Sequence, residues 1–182
     1  MLNATEARLI LHEADLIHSG ETVAAAVRQV AAEITERLRD SHPVILSVMG
    51  GAVVFTGHLL TQLIFPLEFD YVHVTRYGAA TSGGELRWIA VPRMSLVGRT
   101  VLVVDDILDE GITLKAIRER VLELGASACF TAVFADKDTG RQKPIAADFV
   151  GLSLPNRYVF GYGMDVKGAW RNLPAVYAVK GL

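Results

Sequence analysis

Between Gly20 and Asp40, apolar residues recur at Val23, Val27, Val30, Ile34 and Leu38 with charged residues between them. That 3.6-residue period predicts an amphipathic helix. Pro43 then introduces Val44-Ile45-Leu46-Ser47-Val48, an almost unbroken aliphatic run that predicts an inner strand. Gly50-Gly51 interrupts it, and an apolar helix is expected to follow through about Ile64. Leu67 to Val74 reads as another strand, and Leu86 to Val91 as an outer strand stopped by Pro92. Between them, Arg76 to Glu85 gathers Gly78, Ala79, Ala80, Thr81, Ser82, Gly83 and Gly84 with no periodic apolar face, which predicts a mobile segment. Val101 to Val104 is a second inner strand. Leu114, Ile117, Val121 and Leu124 share one face of a following helix, and Ala128 to Ala135 makes the next inner strand. From Asp148 onward, short strands and turns are punctuated by Pro155 and Pro174. Strands alternating with helices predict a parallel α/β core.

Composition narrows the setting. A chain of 182 residues is expected to form one domain with a real core. Its 51% hydrophobic content and mean hydropathy of +0.33 lie on the apolar side, so subunit contacts are expected to cover part of its surface. The longest apolar run, Val44 to Leu60, holds Gly50, Gly51, Gly57 and His58, which suits a strand, turn and helix better than a membrane span. Glu6, Arg8, His12, Glu13 and Asp15 break up the N-terminus, so no signal peptide is evident. The single cysteine, Cys129, forms no internal disulfide and falls in an expected buried strand, pointing to the cytoplasm. A net charge of −2 gives no basic field for nucleic acid, but leaves room for a small anionic substrate held by local cations. The histidines at 12, 18, 42, 58 and 73 show no metal-ligand spacing, and Trp88 and Trp170 read as packing residues.

The chemistry concentrates in Val101-Leu102-Val103-Val104-Asp105-Asp106-Ile107-Leu108-Asp109-Glu110-Gly111-Ile112-Thr113. A hydrophobic strand runs into paired carboxylates and then into a turn that opens a helix. In an open α/β sheet, ligands bind beyond the carboxyl ends of the strands. A helix N-terminus there favours a phosphate, whereas adjacent carboxylates favour a magnesium ion or sugar hydroxyls. Together they ask for a phosphorylated sugar. Gly50-Gly51 repeats the logic at a second strand end, because glycines let backbone N–H groups approach an anion.

This stretch resembles the phosphoribosyl pyrophosphate signature of the type I phosphoribosyltransferases. The tail is similar to the purine-binding end of hypoxanthine-guanine phosphoribosyltransferases, in Ala135-Asp136-Lys137-Asp138, Ala147-Asp148-Phe149-Val150-Gly151, Tyr158-Val159-Phe160-Gly161-Tyr162-Gly163-Met164-Asp165 and Trp170-Arg171-Asn172-Leu173. The resemblance implies a parallel-sheet core flanked by helices, over about 20–140. A small hood is expected from about 141–182 and the N-terminal residues, all within a single domain, 1–182.

The same resemblance implies transfer of the phosphoribosyl group to hypoxanthine or guanine with magnesium, in a homodimer or homotetramer. Phosphoribosyl pyrophosphate would be held by Met49, Gly50, Gly51, Asp105, Asp106, Asp109, Glu110, Gly111, Ile112, Thr113 and Arg171. Lys137 would donate to the purine six-position oxygen, Tyr158 would stack on the base, and Val159 would read its edge through the backbone. Asp165 would help Asp105 and Asp106 with magnesium. Asp109 would accept the purine proton, with Arg76 and Tyr77 on a loop that closes over the reaction.

Four positions depart from the family pattern. Met49 replaces a Lys or Arg, Arg76 replaces Ser, and Glu110 and Ile112 replace Thr and a basic residue. Glu110 is expected to point outward, leaving the backbone of Asp109 to Thr113 and the Thr113 hydroxyl to hold the phosphate. Arg141 joins Arg171 as a candidate pyrophosphate partner. Alternatives are a xanthine-preferring enzyme, an RNA-binding regulator of pyrimidine genes on the same fold, and a catalytically silent binding module. The acidic charge argues against the regulator.

Overall fold

The computed structural model describes residues 2–76 and 86–181, with only the backbone at Arg76. The segment expected to be mobile, including Tyr77, and the Arg76 side chain lie outside the described residues. Along the chain run α1 (Ala4–Glu13), β1 (Asp15–His18), α2 (Gly20–Leu38), β2 (Val44–Met49), α3 (Val53–Leu60), β3 (Glu68–Arg76) and β4 (Leu86–Ala90). There follow β5 (Thr100–Leu108), α4 (Ile112–Glu123), β6 (Ala128–Lys137), β7 (Phe149–Leu154), β8 (Val159–Phe160) and β9 (Val176–Ala178).

The main sheet has the order β4-β3-β2-β5-β6-β7. Its pairs are parallel except for β3 with β4. Strand alternation divides the core in two. Ile45, Leu102, Val104, Ala132 and Phe134 pack with α2 and α3, while Val44, Leu46, Val101, Val103, Cys129 and Val133 pack with α4. Both faces are covered, which is why these strands read as continuous apolar runs. From β2 the chain proceeds toward β4, and from β5 toward β7, so the order reverses between β2 and β5. A crevice is expected at that switch point.

A second sheet, β1-β9-β8, is antiparallel and joins the N-terminal segment to the C-terminal one. The Trp170 indole N–H donates to the Ala7 carbonyl at 2.7 Å, tying α1 into the same region.

Three elements differ from the sequence expectation. The carboxylates at 105 and 106 lie within β5, whose ladder with β6 continues through Leu108 opposite Asp136. The backbone pairing is satisfied there whatever the side chains carry. Helix α3 stops at Leu60, not near Ile64: the Gln62 N–H turns back to the Leu59 carbonyl at 2.9 Å, and Ile64 is 86% exposed. Helix α1 buries none of its residues and shows no apolar stripe to read; it is started by a reciprocal cap in which Asn3 accepts from Glu6 N–H and Glu6 accepts from Asn3 N–H.

Candidate active site

The ends of β2 and β5 and the start of α4 line a cleft of about 330 Å³. Met49, Gly51, Asp105, Asp106, Asp109, Glu110, Gly111, Thr113, Asp165 and Arg171 border it. A second cleft of about 260 Å³ adjoins it, bordered by Asp106, Asp109, Lys137, Tyr158, Val159, Met164, Asp165 and Arg171. The two share Asp106, Asp109, Asp165 and Arg171. Residues far apart in sequence thus converge on one double pocket.

Asp105 and Asp106 stand at its floor. The Asp106 N–H donates to Asp105 Oδ1 and the Ile107 N–H to Asp106 Oδ1, both at 2.9 Å. Burial and then the neighbouring Asp106 charge push the Asp105 carboxyl well above the usual range; burial raises Asp106 too, against the pull of Arg171. Opposite them, the Met49–Gly50 peptide is cis. A Cβ on Gly51 would stand 1.8 Å from Asp106 Oδ2, and one on Gly163 would stand 2.1 Å from the Gly51 carbonyl oxygen. The two glycines allow the β2 turn, the acid pair and the C-terminal segment to touch.

One wall of the first cleft is made by the start of α4. Gly111 adopts φ 79°, in the left-handed region, and caps the helix with no side-chain hydrogen bond. The first turn of α4 opens at this cleft, with Gly111, Thr113 and Leu114 on its border. Glu110 is exposed and borders both this cleft and a separate cavity of about 510 Å³. Arg141 lines that separate cavity and neither half of the double pocket.

On the other side, Lys137 Nζ donates to Asp109 Oδ2 at 3.2 Å. Lys137 is 14% exposed and Asp109 48%, so the pair is anchored at its base and open at its acidic end. Tyr158 is 45% exposed at the mouth, and Val159 is buried beside it. Asp165 gives one oxygen to an ion pair with Arg171 and accepts the Gly168 N–H on the other at 2.7 Å. The other arm of Arg171 donates to the Gly163 carbonyl at 2.6 Å. Both residues border the clefts while bracing the C-terminal segment.

A family model described as Phosphoribosyl transferase domain matches residues 13–167. The chain belongs to the phosphoribosyltransferase family. This phosphoribosyltransferase is 35% identical to the hypoxanthine-guanine phosphoribosyltransferase of Bacillus subtilis, over 89% of this chain and 91% of that one. It is 33% identical to the hypoxanthine-guanine-xanthine phosphoribosyltransferase of Tritrichomonas foetus, over 91% of each. Among solved structures, a hypoxanthine phosphoribosyltransferase from Staphylococcus aureus matches with a TM-score of 0.88 at 26% identity, covering 94% of this chain and 95% of that one.

Several supporting residues of the phosphoribosyltransferase site had no signal in sequence. Gly163 sits inside a quoted motif, but its contact with Gly51 depends on the fold. His58 Nδ1 meets the Tyr162 hydroxyl at 2.7 Å, joining α3 to the C-terminal segment. Lys143, a lone lysine in a loop, reaches the Leu108 carbonyl at the end of β5.

Proposed function

We propose that the protein transfers the 5-phosphoribosyl group of phosphoribosyl pyrophosphate to hypoxanthine or guanine, releasing pyrophosphate and giving IMP or GMP. The observation that carries this reading is the Asp109–Lys137 pair, 3.2 Å apart at the seam of the two clefts. A 6-oxopurine presents a ring N–H at N7 and a carbonyl oxygen at C6 on one edge. Asp109 offers an acceptor and Lys137 a donor to that edge. A 6-aminopurine puts an amino group against the ammonium, so adenine is disfavoured because donor meets donor. Tyr158 offers an aromatic face at the cleft mouth for stacking.

In the adjoining cleft, the N–H groups of Gly111 to Thr113 and the Thr113 hydroxyl hold the 5-phosphate, and the Gly50-Gly51 turn faces the pyrophosphate. Asp105 and Asp106 take the ribose hydroxyls. Holding sugar and base in one double pocket converts a bimolecular step into an intramolecular one. Asp109 accepts the purine proton as the nitrogen attacks C1 of the sugar, a role worth ~10²–10⁴ in rate. Arg171, whose charge offsets part of the rise that burial gives the Asp106 carboxyl, stands beside the departing group.

Magnesium fits this donor set. Asp105 and Asp106 are hard oxygen ligands whose burial disfavours their charge, a cost that a divalent cation removes. Among the described residues no three His, Cys, Asp or Glu side chains converge as a ready-made metal cluster. Asp105, Asp106 and, shared with Arg171, Asp165 would supply part of the shell, with substrate and water oxygens supplying the rest, as is usual for magnesium. When bound, it neutralises charge on the pyrophosphate.

The buried Cys129 supports a reducing, cytoplasmic setting. Among the described residues no helix is long and apolar enough to cross a membrane. Assembly as a homodimer or homotetramer, part of the same reading, would cover exposed apolar residues such as Ile64 and Val97, at 86% and 71%. The test is product formation from phosphoribosyl pyrophosphate with hypoxanthine, guanine, xanthine and adenine in turn. Turnover of hypoxanthine or guanine with little or none of adenine is expected; a preference for adenine, or no turnover, would remove the reading.

A further inference from the structure

Lys143 lies outside every motif discussed above, in the loop between β6 and β7, yet its side chain is only 13% exposed. A buried ammonium is costly unless its three protons all find acceptors. Here they do. Lys143 Nζ donates to the Leu108 carbonyl and to the Lys137 carbonyl, each at 2.6 Å, and forms a short ion pair with the Asp136 carboxylate.

These acceptors share one location. Leu108 and Asp136 are register partners where the β5–β6 ladder runs out, so their neighbourhood needs a donor that the sheet no longer supplies. The Leu108 carbonyl belongs to the planar peptide that leads into Asp109, and the other carbonyl is Lys137's own. One cation therefore grips the backbone behind both groups that face the purine edge. Lys143 borders the neighbouring cavity and is absent from the walls of the purine cleft, so it does not contact the base itself.

We propose that Lys143 is a positioning residue, holding the backbones of Asp109 and Lys137 at the separation that matches the proton-bearing nitrogen and the oxygen of a 6-oxopurine. The assignment rests on the base-recognition reading above. Its specific consequence is a defect confined to the purine. The phosphate turn and the acid pair receive no bond from Lys143 and should be unaffected.

The experiment compares wild type with Lys143→Met, which keeps the stem and removes the charge, and with Lys143→Arg, which keeps the charge. In the methionine variant, kcat/KM for hypoxanthine should fall by ~10²-fold, the effect of a displacement of about 1 Å at reacting groups. The preference for hypoxanthine over adenine should narrow, KM for phosphoribosyl pyrophosphate should stay within about twofold, and the arginine variant should recover part of the loss. Equal loss toward both substrates, or purine kinetics within about twofold of wild type, would overturn the assignment. Hydrogen exchange gives a readout without turnover: the amides of Asp109 and Asp138, whose peptides carry the two gripped carbonyls, should exchange ~10-fold faster in Lys143→Met while those of Gly111 to Thr113 keep their protection, and unchanged exchange at 109 and 138 would also overturn it. If wild type turns over no purine, the reaction reading fails, while the exchange result still decides the role of Lys143. Should Lys143→Met not fold, Asp136→Ala removes one of the three contacts and carries the same comparison at smaller size.

Discussion

Strands β2 and β5 are neighbours in the sheet and end at the same cleft, but they equip it in opposite ways. The end of β5 supplies side chains: Asp105, Asp106 and Asp109, then a helix start. The end of β2 supplies the absence of side chains. Gly51 leaves space for the Asp106 carboxylate, and the Gly51 carbonyl in turn abuts Gly163. Where relatives are expected to carry a cation before the glycines, Met49 brings no charge. Charge chemistry is thus concentrated on β5, and β2 contributes close approach.

Breaking the β5 side should give the largest effect. Asp109→Asn keeps the shape and removes the base, so kcat with hypoxanthine should fall by ~10²–10⁴, with the folded state intact by circular dichroism. A loss of less than about tenfold would move the proton acceptor elsewhere. Breaking the β2 side needs only a methyl group. In Gly51→Ala the new Cβ would overlap Asp106 Oδ2 at 1.8 Å, so the carboxylate or the turn must shift. A loss of ~10²-fold in kcat/KM for phosphoribosyl pyrophosphate is expected, together with a lower Tm. Unchanged kinetics would mean that this contact is dispensable.

The acid pair also separates stability from function. Both carboxyls are raised by burial from an ordinary value of 3.8. Over the pH range between the ordinary and raised values, the folded state binds more protons than the unfolded state. Their contribution is therefore fully present below the ordinary value and is lost as pH rises through the raised ones. Asp105→Asn fixes the neutral form. Near neutral pH it should raise the Tm of the ligand-free protein by about 2–4 °C, corresponding to about 1 kcal/mol in a chain of this size. It should also flatten the fall in Tm with pH, and abolish the stabilisation given by magnesium with phosphoribosyl pyrophosphate. A lower Tm at neutral pH would reverse the sign of the argument. The smallest effect belongs to Met49→Lys, which restores a cation to the β2 end. KM for phosphoribosyl pyrophosphate should fall ~2- to 5-fold, the value of one exposed ion pair.

The same contrast accounts for what the sequence could reveal. The β5 site is written in residue types: an aliphatic run, two acids, a glycine that must take positive φ, and a helix face at Leu114, Ile117 and Val121. All are local, and the core strands were legible for the same reason. The β2 site is written in space, since the distance from Gly51 to Asp106 exists only after two strands pair. Lys143 and the His58–Tyr162 contact were illegible on the same ground: their partners lie in other elements, and a lone lysine or histidine has no local pattern. Helix α1 was missed because it is stabilised by its cap and its contact with Trp170, not by a buried stripe. Arg171 was read as a ligand for pyrophosphate, whereas its fork also holds Asp165 and Gly163 together, a role no spacing rule suggests.

The central claim is that these two strand ends form one magnesium-dependent site, with Asp109 as its base. Pyrophosphate release from phosphoribosyl pyrophosphate should be followed with hypoxanthine present, in wild type and Asp109→Asn, with and without magnesium. Release that needs both hypoxanthine and magnesium, and that falls by ~10²–10⁴ in the variant, is the predicted result. Release that is indifferent to magnesium, or equal in the two proteins, would contradict it.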